Sequence, residues 1–419
     1  MSKRKATNDG APASFAEVLA PMTPETFFAD YYDKQPVHIP GDAGKFARIM
    51  NWQVLNRLLD MTAIWGSASL MLVMDGEVLP PGAYCSQATN RDGHSVLQPD
   101  AATVMDLLRH GASLVANDID TLTPELRQVA DAMEEGFCGK AQSNLYCSWK
   151  QRQAFKSHYD THDVFALHME GEKVWRIYEN REPHPIRHAR WTGMTSEQHE
   201  ERKGAHMMDV TMTPGDLLYL PRGWYHDALA ASGGTIHLAF GLTGVIGLDM
   251  IGALSDAAVG DEAFRLNFPR PEEGREALAA HIADLGERLS RMARDPGFVE
   301  AFAAFQQQYR YPRGGFELPI EIADKRFERT GSDFRIVTKA GRHGLASAKG
   351  VVPIPDGVEE PVAWMIERPS FPRGALLDAF PRFSAMELDR LISQMIAMGV
   401  LRALDADAPG AKTPSGRRG

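Results

Sequence analysis

The sequence predicts a mainly β protein with helical additions, and three observations carry that expectation. Before about residue 250, short apolar runs alternate with turn signals, as in "SLMLVMDGEVLPPGAY", "HDVFALHMEGEKVWRIY" and "TMTPGDLLYLPRGWYH". This is the rhythm of many short strands in a sandwich or barrel. Beyond it, "GREALAAHIADLGERLSRMARD" and "PGFVEAFAAFQQQY" place apolar residues at helical spacing, which suits a packing or dimerisation module. The last portion mixes short strands ("FRIVT", "VVPIP", "PVAWMIE") with two helices ("PRGALLDAF" and "SAMELDRLISQMIAMGVLRAL"), the outline of a winged helix. The expected organisation is a disordered tail over 1–14, a barrel domain over 15–250, a helical dimerisation segment over 251–318, a winged-helix-like domain over 319–405 and a second tail over 406–419.

Three helices interrupt the strands of the first part. "PETFFADYYDKQ", "NWQVLNRLLDM" and "TPELRQVADAMEEGF" all repeat apolar residues at three and four, and Thr123 followed by Pro124 is a good start signal for the third. No internal repeat is evident. At 419 residues, 44% of them apolar and 24% charged, the chain has the composition of a soluble globular protein with more than one domain. A net charge of −10 leaves no cationic excess to displace counterions from phosphates, which argues against a general polyanion binder. Cys85, Cys138 and Cys147 form no CxxC pair and are odd in number, which speaks against a disulfide framework. No apolar run is long enough to span a bilayer and the N-terminus carries no secretory signal pattern, so a cytoplasmic protein is expected.

The densest chemistry lies in "SHYDTHDVFALH", residues 157–168. Read as a strand, this stretch puts His158, Asp160 and His162 on one face. His162 is then displaced from His158 by about 13 Å, so His158 with Asp160 is the compact pair. Two imidazoles and a carboxylate can grip one face of a divalent metal and leave three positions open. The best third ligand is His226, delivered by "PGDLLYLPRGWYHDAL"; in a double-stranded β-helix, or cupin barrel, two such strands meet across the mouth. His237, in "GGTIHLAF", competes, but its apolar neighbours make a core histidine the better reading. Asp163 reads as a strand-end residue facing away. His184, His188, His199 and His206 lie in polar, turn-rich sequence and read as solvated loop.

With these residues in view, the chain resembles the JmjC-type, cupin-4 branch of Fe(II)- and 2-oxoglutarate-dependent oxygenases, the bacterial ribosomal-oxygenase-like proteins. The resemblance is carried by "NLYCSW", "FKSHYDTHDVFALHMEGEKVWRIY" and "PGDLLYLPRGWYHDA". It implies His158, Asp160 and His226 as the metal triad. Lys173, on the strand after the "MEGEK" turn, would pair with the far carboxylate of 2-oxoglutarate, and Asn144 and Tyr146 would line the same pocket. Two departures stand out: His168 where the family commonly has Gln, and "QAFKS" where a glycine is frequent. His168 shares the inward parity of an unbroken strand, so a modified substrate pocket stays open, and His162 suits a substrate-facing place.

What the resemblance implies for function is hydroxylation of a protein side chain, an Arg or His β-carbon of a ribosomal protein, by Fe(II), 2-oxoglutarate and O2 with release of succinate and CO2. It also implies a homodimer. The same chemistry on a natural-product precursor peptide or small molecule is an alternative, as is a metal cupin without 2-oxoglutarate or a binding module. Direct nucleic-acid binding is not expected, because the helix "SAMELDRLISQMIAMG" carries a single arginine among Met, Leu and Ile.

Overall fold

In the computed structural model, residues 10–404 are described apart from 90–92, 94, 150–154, 232, 315–324, 332, 340–341, 348–349 and 356. The chain divides into two units, 1–313 and 314–419. The tail expected over 406–419, and residues 1–9 of the other tail, lie outside the described residues. Ala11, within that N-terminal tail, is buried, and its carbonyl accepts from Gln128 Nε2 at 2.7 Å.

Alternation along three strands builds the first unit. In Asp163–Glu170, Phe165, Leu167 and Met169 point to one side, Val164 and Ala166 to the other, and all are buried. Gly234–Gly244 turns Ile236, Leu238, Phe240 and Leu242 to the first side, and Gly139–Trp149 does the same with Ala141, Leu145 and Cys147. These strands are central in an eight-stranded sheet, with Leu217–Leu220 beside Asp163–Glu170 and Ser113–Ala116 beside Gly139–Trp149. A smaller sheet has Lys173–Arg181 in the middle, flanked by His206–Met212 and Trp224–Ala230.

The outer side of the large sheet is covered by helices whose spacing supplies an apolar face. Pro124–Phe137 buries Leu126, Val129, Ala130, Met133 and Phe137, and its start is capped by Thr123, whose Oγ1 accepts from Leu126 N at 3.2 Å. Phe165 sits where this layer meets the sheet, with ring centroids 5.5 Å from Phe27 and 4.9 Å from Tyr219. On the inner side Val164, Ala166, Trp175, Ile177, Val210, Met212, Leu218 and Leu220 form a second core. Gly247–Ala258, Gly274–Arg294 and Pro296–Gln307 follow as helices, the last two without a fully buried residue. All three cysteines are free thiols. Among the described residues no helix is long and apolar enough to cross a membrane.

The second unit contains the three-stranded sheet Ser370–Pro372, Arg326–Arg329 and Leu401–Leu404, a meander of three short strands and three helices around its own core. Two sequence expectations fail here. "PVAWMIE", expected as a strand, lies in the helix Glu359–Ile366, because Val362, Met365 and Ile366 recur at three and four and are buried together. "SAMELDRLISQMIAMGVLRAL", expected as one helix, stops at Ala397. Gly399 takes φ 69°, which the helix cannot continue, and Leu401–Leu404 becomes a strand.

Phe165→Ala is expected to cost about 4 kcal/mol, since it empties a fully buried aromatic site at the contact of sheet and helices. The midpoint of denaturant unfolding measures this loss.

Candidate metal centre

Strand parity also decides what faces the space between the two sheets. From the large sheet come Asn144, Tyr146, His237, Ala239 and Gly241; from the small sheet come Lys173, Trp175, His226 and Ala228; Phe155, His158, Asp160 and His162 close the mouth. Next to this space Ala166, Ile177, Val210, Met212, Leu218 and Leu220 pack together as apolar core. Sequence parity for Asn144 with Tyr146, and for Lys173 on the strand after the turn, matches this placement.

His158 and Asp160 arrive differently from the strand expected for them. The regular strand begins only at Asp163, and His158 makes an isolated antiparallel bridge with His226, their backbones exchanging N–H···O bonds of 3.0 and 2.9 Å. The Gly223 N–H donates to the Asp160 carbonyl at 2.8 Å, stitching the loop down a third time. Gly223 has φ 84°, and a Cβ there would stand 2.0 Å from the Glu182 carbonyl oxygen, so only glycine fits.

The bridge sets two imidazole rings 4.7 Å apart, centre to centre, and places Asp160 Oδ2 3.5 Å from His226 Nε2. One ligand atom from each of His158, Asp160 and His226 lies within 4.8 Å of the others, a spacing able to hold a metal ion. Each histidine is keyed from behind: His158 Nδ1 is 2.8 Å from the Lys156 carbonyl and His226 Nδ1 is 2.9 Å from that of Trp224. A carbonyl only accepts, so Nδ1 carries the proton and Nε2 keeps its lone pair for the cavity. Burial, reinforced by His158, pushes His226 down to about 4 against the opposing Asp160 charge. It is neutral at pH 7, as a ligand must be. Desolvation acts most strongly on Asp160 and raises its pKa, but His162, His158 and His226 together outweigh it and hold the carboxyl below its ordinary value.

Lys173 is 3% exposed, and burial lowers it to about 8. Among the described residues its ammonium has no carboxylate partner; Nζ stands 3.5 Å from His237 Nδ1. Burial and the adjacent lysine keep His237 far below its usual value and therefore neutral, so its Nδ1 can accept. The His237 ring stacks on Tyr146 at 4.9 Å with 11° between planes. The cavity thus combines three convergent metal-ligating atoms with an uncompensated buried cation, which an anionic chelator would satisfy.

Of the remaining histidines, His237, His168 and His199 depart from their expected places. His237 is not a bystander of the core. The alternation in "GTIHLAFG" puts it with Ala239 and Gly241 on the small-residue face, a signal that its apolar neighbours obscured. His162 lines the cavity without being in regular strand, and its ring packs over Gly241, where a Cβ would come within 2.9 Å. His168 is fully buried away from the cavity, its Nε2 bonded to the Gly171 carbonyl at 3.0 Å, so the modified pocket left open for it is not formed. Asp163 opens its strand and faces away from the cavity as expected, but it is buried rather than solvated, accepting from the Tyr219 hydroxyl at 2.7 Å. His199 is not solvated loop either: its ring lies 5.3 Å from Tyr159 and 5.8 Å from Tyr225, directly behind the His158 loop. His184, His188 and His206 are at the surface.

His168 offers a clean test of burial. Desolvation, against the opposing bond to Gly171, lowers it to about 4, while an unfolded histidine titrates near 6.5. The folded state therefore resists the proton that the unfolded state takes up. Its stability contribution is full above pH 6.5 and is lost as pH falls toward 4, on the order of 3 kcal/mol. Replacing His168 with Gln, which keeps a donor for the Gly171 carbonyl, is expected to flatten the fall of the urea midpoint between pH 6.5 and 4.

Residues 116–249, which hold both sheets' central strands and the cavity, match the JmjC domain family. Ribosomal oxygenase 2 of Rattus norvegicus is 30% identical over 299 residues, 67% of this chain and 62% of the relative. The bifunctional lysine-specific demethylase and histidyl-hydroxylase NO66 of Drosophila pseudoobscura pseudoobscura is 28% identical over 228 residues, 52% of this chain and 21% of the relative. The chain thus spans less than two thirds of the length of either. A solved structure of YcfD, a ribosomal oxygenase from Escherichia coli, in complex with cobalt and 2-oxoglutarate, is similar at 15% identity and a TM-score of 0.47, covering 91% of this chain and 98% of that one. Over residues 116–249, about a third of its length, the chain is thus similar to the JmjC domain family.

Proposed function

We propose that the protein is an Fe(II)- and 2-oxoglutarate-dependent oxygenase that hydroxylates a protein side chain. The observation that carries this reading is the pairing, in one cavity, of the His158, Asp160 and His226 cluster with the unpaired Lys173 ammonium. Bound iron with 2-oxoglutarate and O2 would supply the oxidising power, consuming the cosubstrate to succinate and CO2. The chain's own residues bind and orient. His158, Asp160 and His226 would hold the metal and leave three positions open; Lys173 would receive the far carboxylate of the cosubstrate; Asn144 and Tyr146 would line the space around it. Lys173, at 3% exposure, can only be approached by an anion that has entered the barrel.

A protein substrate is supported by the relatives' names, ribosomal oxygenase and histidyl-hydroxylase. We take an Arg or His β-carbon of a ribosomal protein as the target. A homodimer is part of the same reading. The helices after the barrel and the segments joining them leave Leu248, Ile251, Val259, Phe268, Ile282 and Val299 all more than half exposed, an apolar display that supports an interface there. The second unit we read as a winged-helix-like packing module, since the helix Ala385–Ala397 spends Leu388, Leu391, Ile392 and Met395 on its own core. The natural-product and small-molecule alternatives share the same centre and differ only in what reaches it.

Incubation with Fe(II), 2-oxoglutarate and a ribosomal protein fraction is expected to give succinate and peptides heavier by one oxygen, and His158→Ala should abolish both. Lys173→Ala should raise the KM for 2-oxoglutarate by about a hundredfold, the cost of leaving a buried carboxylate unpaired. Unchanged turnover in Lys173→Ala would favour a metal cupin without 2-oxoglutarate, and the absence of any shifted peptide would count against a protein substrate. Sedimentation of the wild-type chain should give twice the monomer mass, and Ile251→Glu with Val299→Glu should return it to a monomer.

A further inference from the structure

The bridge between His158 and His226 is a single pair of backbone bonds with irregular chain on one side of it. On the reverse face, each histidine's neighbour in sequence takes part in a second linkage. Asp227, which follows His226, is 2% exposed and points away from the cavity side of its strand. Its Oδ2 accepts from the Ser157 hydroxyl at 2.7 Å and from the Tyr178 hydroxyl at 2.6 Å. Ser157, which precedes His158, is 3% exposed. Its hydroxyl in turn accepts from Lys203 Nζ at 3.2 Å, and that ammonium lies 4.3 Å from the centre of the Tyr178 ring. A cation therefore reaches a buried carboxylate through one serine hydroxyl.

Resting on the metal-centre reading above, we infer that Ser157, Tyr178 and Asp227 are positioning residues: a clamp on the back of the bridge that fixes the spacing of the two histidines and thereby sets metal affinity. None of the three faces the cavity, so they act only through His158 and His226. The two bridge bonds and the Gly223 bond to the Asp160 carbonyl are a short attachment for this loop, because so few strand bonds are marginal in water. Two hydroxyls bonded to one buried carboxylate are charge-assisted and strong, and they hold the loop at the residue adjacent to the ligand. Outer partners of metal ligands typically govern affinity by ten- to a hundredfold. Tyr225, on the same strand and equally buried, has a hydroxyl with no hydrogen-bond partner among the described residues, so it serves as a neighbour outside the clamp.

The test is a Co(II) titration of the full chain, followed by the visible absorption of the bound ion, alongside thermal unfolding of the metal-free protein. Ser157→Ala and Tyr178→Phe are each expected to weaken Co(II) about tenfold and to alter the absorption envelope, whereas Tyr225→Phe binds as wild type. Equal Co(II) affinity in wild type, Ser157→Ala and Tyr178→Phe overturns the clamp and leaves the metal centre standing. Affinity losses that follow the loss of metal-free stability across all variants, Tyr225→Phe included, overturn it as well, since that is general loosening. A wild-type chain that binds no Co(II) overturns the metal-centre reading itself and the clamp with it.

Discussion

Everything about the cavity depends on one short-range constraint, the exchange of two backbone hydrogen bonds between His158 and His226. The residues are far apart in sequence, and the loop carrying the first is not a strand. The bridge converts that loop into a wall of the barrel mouth. Without it Asp160 would keep only the Gly223 bond to its carbonyl as a tie to the strand that carries His226. Backbone bonds suit this task because they are directional and do not compete for the side chains that face the cavity. The neighbouring Gly223 closes the turn at a point where a side chain would collide with the Glu182 carbonyl.

The second constraint is electrostatic. Part of the space between the sheets is filled by Ala166, Ile177, Val210 and Leu218, and the cavity beside it is lined by histidines, a lysine and a carboxylate. Such groups are costly to bury unless their charge is removed or matched. The chain does both. Burial keeps His226 and His237 neutral, so each offers a lone pair, and three imidazoles offset the desolvation of Asp160. Lys173 remains uncompensated. A fold selected for stability alone would have placed an apolar residue there, and the proposed cosubstrate supplies the missing partner.

The supporting layers show how a site of this kind is kept rigid. Helices pack on the outer face of the large sheet through Phe15, Phe27, Phe137 and Phe165. The small sheet is backed by the excursion carrying Trp191, Met194 and His199, where the Tyr159 hydroxyl donates to the Trp191 carbonyl at 3.0 Å. Cavity residues are therefore held from behind on both sheets, which is the condition for a preorganised site.

Sequence by itself determined the β-rich first part, the capped helix at Thr123, the long helices near residue 280 and the parity of Asn144, Tyr146 and Lys173, because these follow from local periodicity and capping chemistry. It also singled out His158, Asp160 and His226, and through a family likeness it suggested what they do. Tertiary structure decided the rest. The strand read through residues 157–162 is an irregular loop, since a partner across the barrel, and no ladder of its own, fixes its conformation. His237 moved from core to cavity, and His168 from cavity to core, because register across strands, not the character of sequence neighbours, sets which face a side chain meets. "PVAWMIE" became a helix once its apolar residues found a common core, a choice that a short apolar run leaves open until packing settles it.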